Sequence, residues 1–166
     1  MTAATETAVT TQVYRVYIKA SPEAIWDAIT KPEWTKRYGY RGAVEFDSFE
    51  RGGKIRFIAP PDMQAMGMPE VVVDGEVLEA DPPRRLVQTW HPLWAEDIAA
   101  ETSRVTYDIE EDDNGVTRLT VTHDVEGTPI TAAQVGLTDN RLTEGGGGWP
   151  MILSDLKTLL ETGQGF

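Results

Sequence analysis

Alternation of apolar and polar residues predicts a β-rich chain bracketed by helices. Tyr14, Val16 and Ile18 alternate with Arg15, Tyr17 and Lys19, the pattern of a first strand. Ser21-Pro22-Glu23 then opens a helix, with Ser21 as N-cap, Pro22 at the first helical position and Glu23 near the positive dipole end. Ile25, Trp26, Ala28 and Ile29 form its inner stripe, and Trp26 belongs to the core. Pro32-Glu33-Trp34 starts a second, short helical piece that Gly39 ends. Beyond it the period is two. Val44 and Phe46 alternate with Glu45 and Asp47, and Gly52-Gly53 turns the chain into Ile55 and Phe57. Val73, Gly75 and Val77 alternate with Asp74 and Glu76 until Asp81-Pro82-Pro83 breaks the strand. Leu86 to His91 is the next strand, followed after a loop by Val105, Tyr107 and Ile109. Asp113-Asn114-Gly115 is a tight-turn signature, and Leu119, Val121, His123 and Val125 share one face of the last strand. Pro60 to Pro69 and Glu126 to Gly148 are less regular.

At the end of the chain the period becomes helical. Gly145 to Gly148 run into Trp149, Ile152, Leu153, Leu156, Leu159 and Leu160, an i, i+3, i+4, i+7 stripe, while Asp155, Lys157, Thr158 and Glu161 fill the other side. Pro150 suits the first turn and Gly163 the stop. A helix with one apolar stripe must lie on something, and the preceding strands supply the sheet. The order is strand, two helices, about six strands joined by short turns, then one long helix. Hairpin connections make the sheet antiparallel, and the class is α+β. Residues 1–12 form a loose polar tail and residues 13–166 a single domain.

Charge and composition narrow the partners. Asp and Glu outnumber Lys and Arg by 27 to 15, a net charge of −12 that repels phosphate backbones and anionic membrane surfaces. No nucleic acid and no membrane are expected as partners. Without cysteine there is neither a disulfide nor a thiolate metal site. No basic-then-apolar leader and no run of roughly 20 apolar residues occurs, so a cytoplasmic location is expected.

Several phrases carry a family likeness. Ala20-Ser21-Pro22-Glu23-Ala24-Ile25-Trp26-Asp27-Ala28-Ile29-Thr30 resembles the opening of the START/pollen-allergen-like (SRPBCC) superfamily. The stretch from Gly75 to Trp90, Arg118-Leu119-Thr120-Val121-Thr122-His123 and the closing Gly148 to Leu160 resemble its subgroup homologous to the activator of the heat-shock-protein-90 ATPase. The resemblance implies the helix-grip fold, a curved antiparallel sheet wrapped around a long C-terminal helix, often with an internal cavity. Superfamily members bind lipids, hormones or polyketides, a few are cyclases, and others are cochaperone domains.

Candidate chemistry is sparse. His123 shares its face with Leu119, Val121 and Val125, so it points inward, either as a polar group in a pocket or as a core histidine bonded to its neighbours. His91, beside Pro92 at a strand end, is expected to be exposed. Two histidines without short-range spacing make no metal site, and there is no nucleophile elbow. The glycine run is followed by Trp-Pro rather than Lys-Ser, which argues against a phosphate loop. No catalytic residue, metal or cofactor is therefore assigned. Met63, Met66 and Met68 lie between prolines and form either a flexible lid over an apolar ligand or a loop whose methionines plug the local core or drive self-association. Trp34, Trp90, Trp94 and Trp149 supply aromatic surface, Trp94 from a connection where an exposed ring needs a pocket or partner. Arg84 and Arg85 follow a proline turn and are expected to be solvated or locally ion-paired.

The leading expectation is a protein that binds an apolar or aromatic small molecule between sheet and terminal helix. Its ligand-binding residues would be His123, Tyr107, Trp34, Phe57, Met63, Met66, Met68, Trp90, Trp94, Trp149 and Leu153. Two alternatives stay open: a cyclase or hydrolase using His123 as general acid/base, and a chaperone-assisting interaction module. A homodimer is compatible with all three.

Overall fold

The computed structural model describes residues 10–135 and 148–166. Gly145, Gly146, Gly147 and most of the N-terminal tail lie outside the described residues.

Seven strands form one antiparallel sheet in the order β1-β7-β6-β5-β4-β3-β2. They are β1 (Thr11–Ile18), β2 (Ala43–Phe46), β3 (Lys54–Ile58), β4 (Val71–Asp81), β5 (Arg85–Pro92), β6 (Ser103–Glu111) and β7 (Thr117–Asp124). The helices are α1 (Pro22–Thr30), α2 (Pro32–Thr35), α3 (Pro61–Ala65), α4 (Pro129–Val135) and α5 (Gly148–Thr162). A single 3-10 turn, Ile98–Ala100, interrupts the connection between β5 and β6. This is the helix-grip arrangement, α+β with a curved sheet and a C-terminal helix. No helix among the described residues is long and apolar enough to cross a membrane.

The period-two faces fall where alternation put them. Tyr14 pairs with Val121 and Val16 with Leu119, while Tyr107 lies between Leu86 and Val121 in the ladder. These rows share the inner face and build one core with Ile25, Trp26 and Ile29 of α1 and Trp149, Leu153, Leu156 and Leu159 of α5. Each fully buried Leu or Ile contributes about 1.5–3 kcal/mol of transfer free energy. The predicted caps are present. Ser21 Oγ accepts the Ala24 N–H at 3.2 Å, and Gly163 at φ 84° closes α5 by donating to Leu159 O at 2.8 Å. Gly75 has a steric reason, since a Cβ there would meet Thr89 O at 2.1 Å.

Four local expectations change. β1 begins at Thr11, two residues inside the expected tail, because Gln12 is buried and donates to Ala132 O at 3.0 Å. The segments read as irregular contain α3 and α4. Glu101 caps the start of α4 from afar, its carboxylate accepting the N–H groups of Ile130 and Thr131 at 3.0 and 2.7 Å. Asp155, placed on the solvent side of α5, is 2% exposed. It accepts Gly39 N–H at 2.8 Å and Phe166 N–H at 2.7 Å, so the chain after α5 and the turn after α2 fold over it. Arg85 meets the ion-pair expectation, reaching Asp108 at 2.8 Å and Glu79 at 3.2 Å on the sheet's outer face.

Candidate functional site

Between the sheet, α5 and the segment from Tyr38 to Gly42 lies a cavity of about 380 Å³. Its interior is walled by buried side chains, among them Ile29, Tyr107, Leu119, Trp149, Leu153 and Leu156. Tyr40, Arg41 and Gln134 are exposed and form the rim. Gly39, at φ 62°, brings its backbone against Ile152, which a Cβ would meet at 3.4 Å.

Along one side of the cavity, partly behind its wall, runs a row of rings meeting edge to face. Trp94 meets Trp90 at 5.7 Å, Trp90 meets His123 at 5.2 Å, His123 meets Trp149 at 6.0 Å, and Trp149 meets Tyr107 at 6.2 Å. Each contact has the geometry favoured by ring quadrupoles. The row ties strands β5, β6 and β7 to helix α5.

His123 is the hub of that row and is not part of the cavity wall. It is 0% exposed. Trp149 Nε1–H donates to its Nδ1 at 3.2 Å, which fixes the neutral tautomer with the proton on Nε2. That N–H donates to Ser103 Oγ at 2.7 Å, leaving the Ser103 hydroxyl to donate to Trp90 O at 3.4 Å. Burial lowers the His123 pKa to about 4, with Asp124 pulling weakly the other way. The imidazole is therefore a neutral link joining Trp149 of α5 to Ser103 of β6.

The structure brings eight of the expected ligand-binding residues to the cavity: Tyr107, Phe57, Met63, Met68, Trp90, Trp94, Trp149 and Leu153. His123, Trp34 and Met66 lie elsewhere. His123 sits behind Trp149 and Trp90, Trp34 carries the Arg37 guanidinium 4.8 Å from its ring, and Met66 is 85% exposed. Sequence reasoning missed Tyr38, Ile152 and Val135 in the wall. Tyr38 follows a helix end and carried no alternation signal; its hydroxyl donates to Ala28 O at 2.8 Å, and burial pushes its pKa up strongly.

His91, expected to be exposed, is half-buried. Its Nδ1 lies 2.7 Å from Asp74 Oδ1 and its Nε2 2.7 Å from Ala99 O. Both partners are acceptors, so the imidazolium satisfies the site best. The hydrogen bond to Ala99 and the pairing with Asp74 raise its pKa against the opposing effect of burial. Among the described residues no cluster of three or more His, Asp or Glu could hold a metal.

Comparison with known proteins now places the chain. A family model described as activator of Hsp90 ATPase homolog 1-like protein matches residues 19–161. The chain belongs to this family. The match extends from α1 through the last turns of α5 and establishes the SRPBCC resemblance seen in the sequence. Solved structures with the family fold include the Aha1 dimer from Colwellia psychrerythraea, 20% identical, with a TM-score of 0.63 over 95% of this chain and 100% of that one. MLL2253 from Mesorhizobium loti is 23% identical, with a TM-score of 0.61 over 90% and 96% of the two chains. CalU16 from Micromonospora echinospora is 22% identical, with a TM-score of 0.59 over 92% and 77%. No curated protein matches. Identities at this level speak for the fold and leave the chain's chemistry to its own residues.

Proposed function

We propose that this protein binds an apolar or aromatic small molecule in the cavity between the sheet and α5. The observation that supports this most is the wall itself: about 380 Å³ of space bordered by Phe57, Trp90, Trp149, Leu153 and their neighbours. Well-formed apolar pockets of roughly 300–1,000 Å³ with few polar groups are the usual setting for small ligands. Met63 and Met68 border this space as an adaptable cover. The neutral dye Nile red should bind the native protein, and M63S/M68S should weaken that binding while leaving the unfolding midpoint unchanged. Met66→Ser should change nothing. Dye binding undiminished in the double variant removes the methionines from the site, and no binding at all removes the small-molecule reading.

An acid/base role for His123 has little support, because both ring nitrogens are engaged inside the protein and neither faces the cavity. A chaperone-assisting role is favoured by one observation, the description of the family model. Co-sedimentation with purified Hsp90 and a change in its ATPase rate would test it. Homodimerisation is a separate proposal, supported by the dimeric Colwellia protein of the same fold and tested by sedimentation velocity.

A further inference from the structure

The hydroxyl of Tyr107 stands out among the polar groups of the cavity wall. Four other side-chain donors there are engaged: Tyr38 on Ala28 O at 2.8 Å, Trp149 on His123 at 3.2 Å, Trp94 on Gln134 at 2.9 Å, Thr35 on Pro32 O at 3.4 Å. Tyr40 and Gln134 reach solvent at the rim, and the indole N–H of Trp90, a half-buried side chain, has no partner among the described residues, so Tyr107 is the most deeply buried donor left open. Tyr107 is 7% exposed, and its hydroxyl has no hydrogen-bond partner among the described residues. No fully enclosed side-chain oxygen or nitrogen among those residues goes unpaired, so the Tyr107 oxygen opens onto the cavity that its ring lines. A buried phenol aimed at an apolar space lacks only an acceptor.

Charge restricts what can supply it. Among the described residues no carboxylate lines the cavity. Asp155 lies outside the wall, engaged with the backbone of Gly39 and Phe166. Arg41 is the sole charged lining residue among those described; it sits at the rim, donating to Phe166 O at 2.7 Å. A carboxylate or ammonium drawn into the interior would lose its water without gaining a counter-charge. A neutral group is required. An alcohol would accept from Tyr107 but bring a second O–H needing a partner, whereas a carbonyl oxygen accepts and brings no donor.

Size and shape complete the description. A dry cavity of ~150 Å³ holds one benzene, so 380 Å³ accommodates about two to three rings. Trp90 is paired with Ser103, four residues from Tyr107 along β6, a separation of about 13 Å. The space thus extends from the half-buried Trp90 toward the more deeply buried Tyr107 hydroxyl. We infer that the ligand is an uncharged aromatic ketone or quinone, inserted carbonyl-first so that its oxygen accepts the Tyr107 hydrogen bond while its rings lie along Trp149 and Trp90. This rests on the proposal that the cavity takes a small molecule, and it adds the class and the orientation.

Fluorenone and fluorene share one ring system and differ by the carbonyl, which makes them the probes of choice. Calorimetric titration should show both binding the wild type. Tyr107→Phe should weaken fluorenone by about five- to tenfold and leave fluorene unchanged, the loss expected for one hydrogen bond. Infrared spectra of fluorenone bound to the wild type should show the C=O stretch moved to lower frequency than in hexane, a readout that needs no variant. An unshifted band, or equal effects of Tyr107→Phe on the two probes, overturns the inference while leaving cavity binding intact. So does tighter binding of fluorenol, of fluorene carboxylate or of a fluorenyl trimethylammonium. If neither fluorene nor fluorenone binds, the small-molecule reading fails and this inference with it.

Discussion

Lowering the pH forces a proton toward His123, which has nowhere to put it. In the fold Nδ1 accepts from Trp149, Nε2–H donates to Ser103, and the ring is wholly buried. Its pKa is held at about 4 against an ordinary 6.5, which the unfolded chain regains. The unfolded state therefore takes up the proton first. The stability tied to this group is fully present above pH 6.5 and drains as pH falls through that value toward 4. At ~1.36 kcal/mol per pH unit the gap amounts to about 3 kcal/mol, a large share of the ~5–15 kcal/mol that holds a domain of this kind. Urea unfolding followed by circular dichroism, at closely spaced pH values, measures it. Many carboxylates titrate in the same range, so the quantity to plot is the difference between wild type and His123→Gln, in which their contributions cancel. At neutral pH the variant should be less stable by about 2–4 kcal/mol, because Trp149 and Ser103 lose their partner. That deficit should shrink by about 3 kcal/mol on going to about pH 4. A deficit that stays constant across the range would show that His123 is not held neutral, and the link from Trp149 to Ser103 of β6 would have to be abandoned.

Three further outcomes follow from the packing. Leu159→Ala and Leu156→Ala should each lower unfolding free energy by about 2–5 kcal/mol, with Leu156 at the lower end because it already borders open space; a near-zero change at both would mean that α5 does not pack on the sheet. Asp155→Ala strands the N–H groups of Gly39 and Phe166 and should cost about 2–4 kcal/mol, with Asp155→Asn costing less, and equal losses would show that the hydrogen bonds are not what matters. Nitrogen NMR of His91 at pH 6 should find both ring nitrogens protonated. Its folded pKa is raised, so the clasp on Ala99 is complete below pH 6.5 and is lost as pH rises through the folded value; a single neutral tautomer at pH 6 would refute it.

Where two residues share a face, the sequence was a good guide, because strand and helix periods are backbone geometry. Leu119, Val121 and His123 do point inward, and α5 does run from Gly148 to Thr162. Period is silent about depth. It put His123 on the inner face without showing that Trp149 and Trp90 would stand between it and the cavity. Asp155 lies only about 40° around the helix from Leu159, and what buries it is chain from after α5 and after α2, a contact no local pattern encodes. The methionines show the same limit: Met63 and Met68 reach the cavity, while Met66 between them faces out, a choice set by the short helix α3. Tyr38 and Ile152 were missed because a pocket wall is assembled from many elements and leaves no spacing of its own.

The row of rings also gives the protein an optical voice. Of its five tryptophans, Trp90, Trp94 and Trp149 border the cavity, whereas Trp26 packs on Phe49 and Trp34 beneath Arg37. With Trp90 and Trp94 only 5.7 Å apart, excitation absorbed by one indole passes readily to its neighbour. A ketone lodged beside Trp90 would therefore quench Trp94 as well. Occupancy of the cavity can thus be followed by intrinsic fluorescence, without a label.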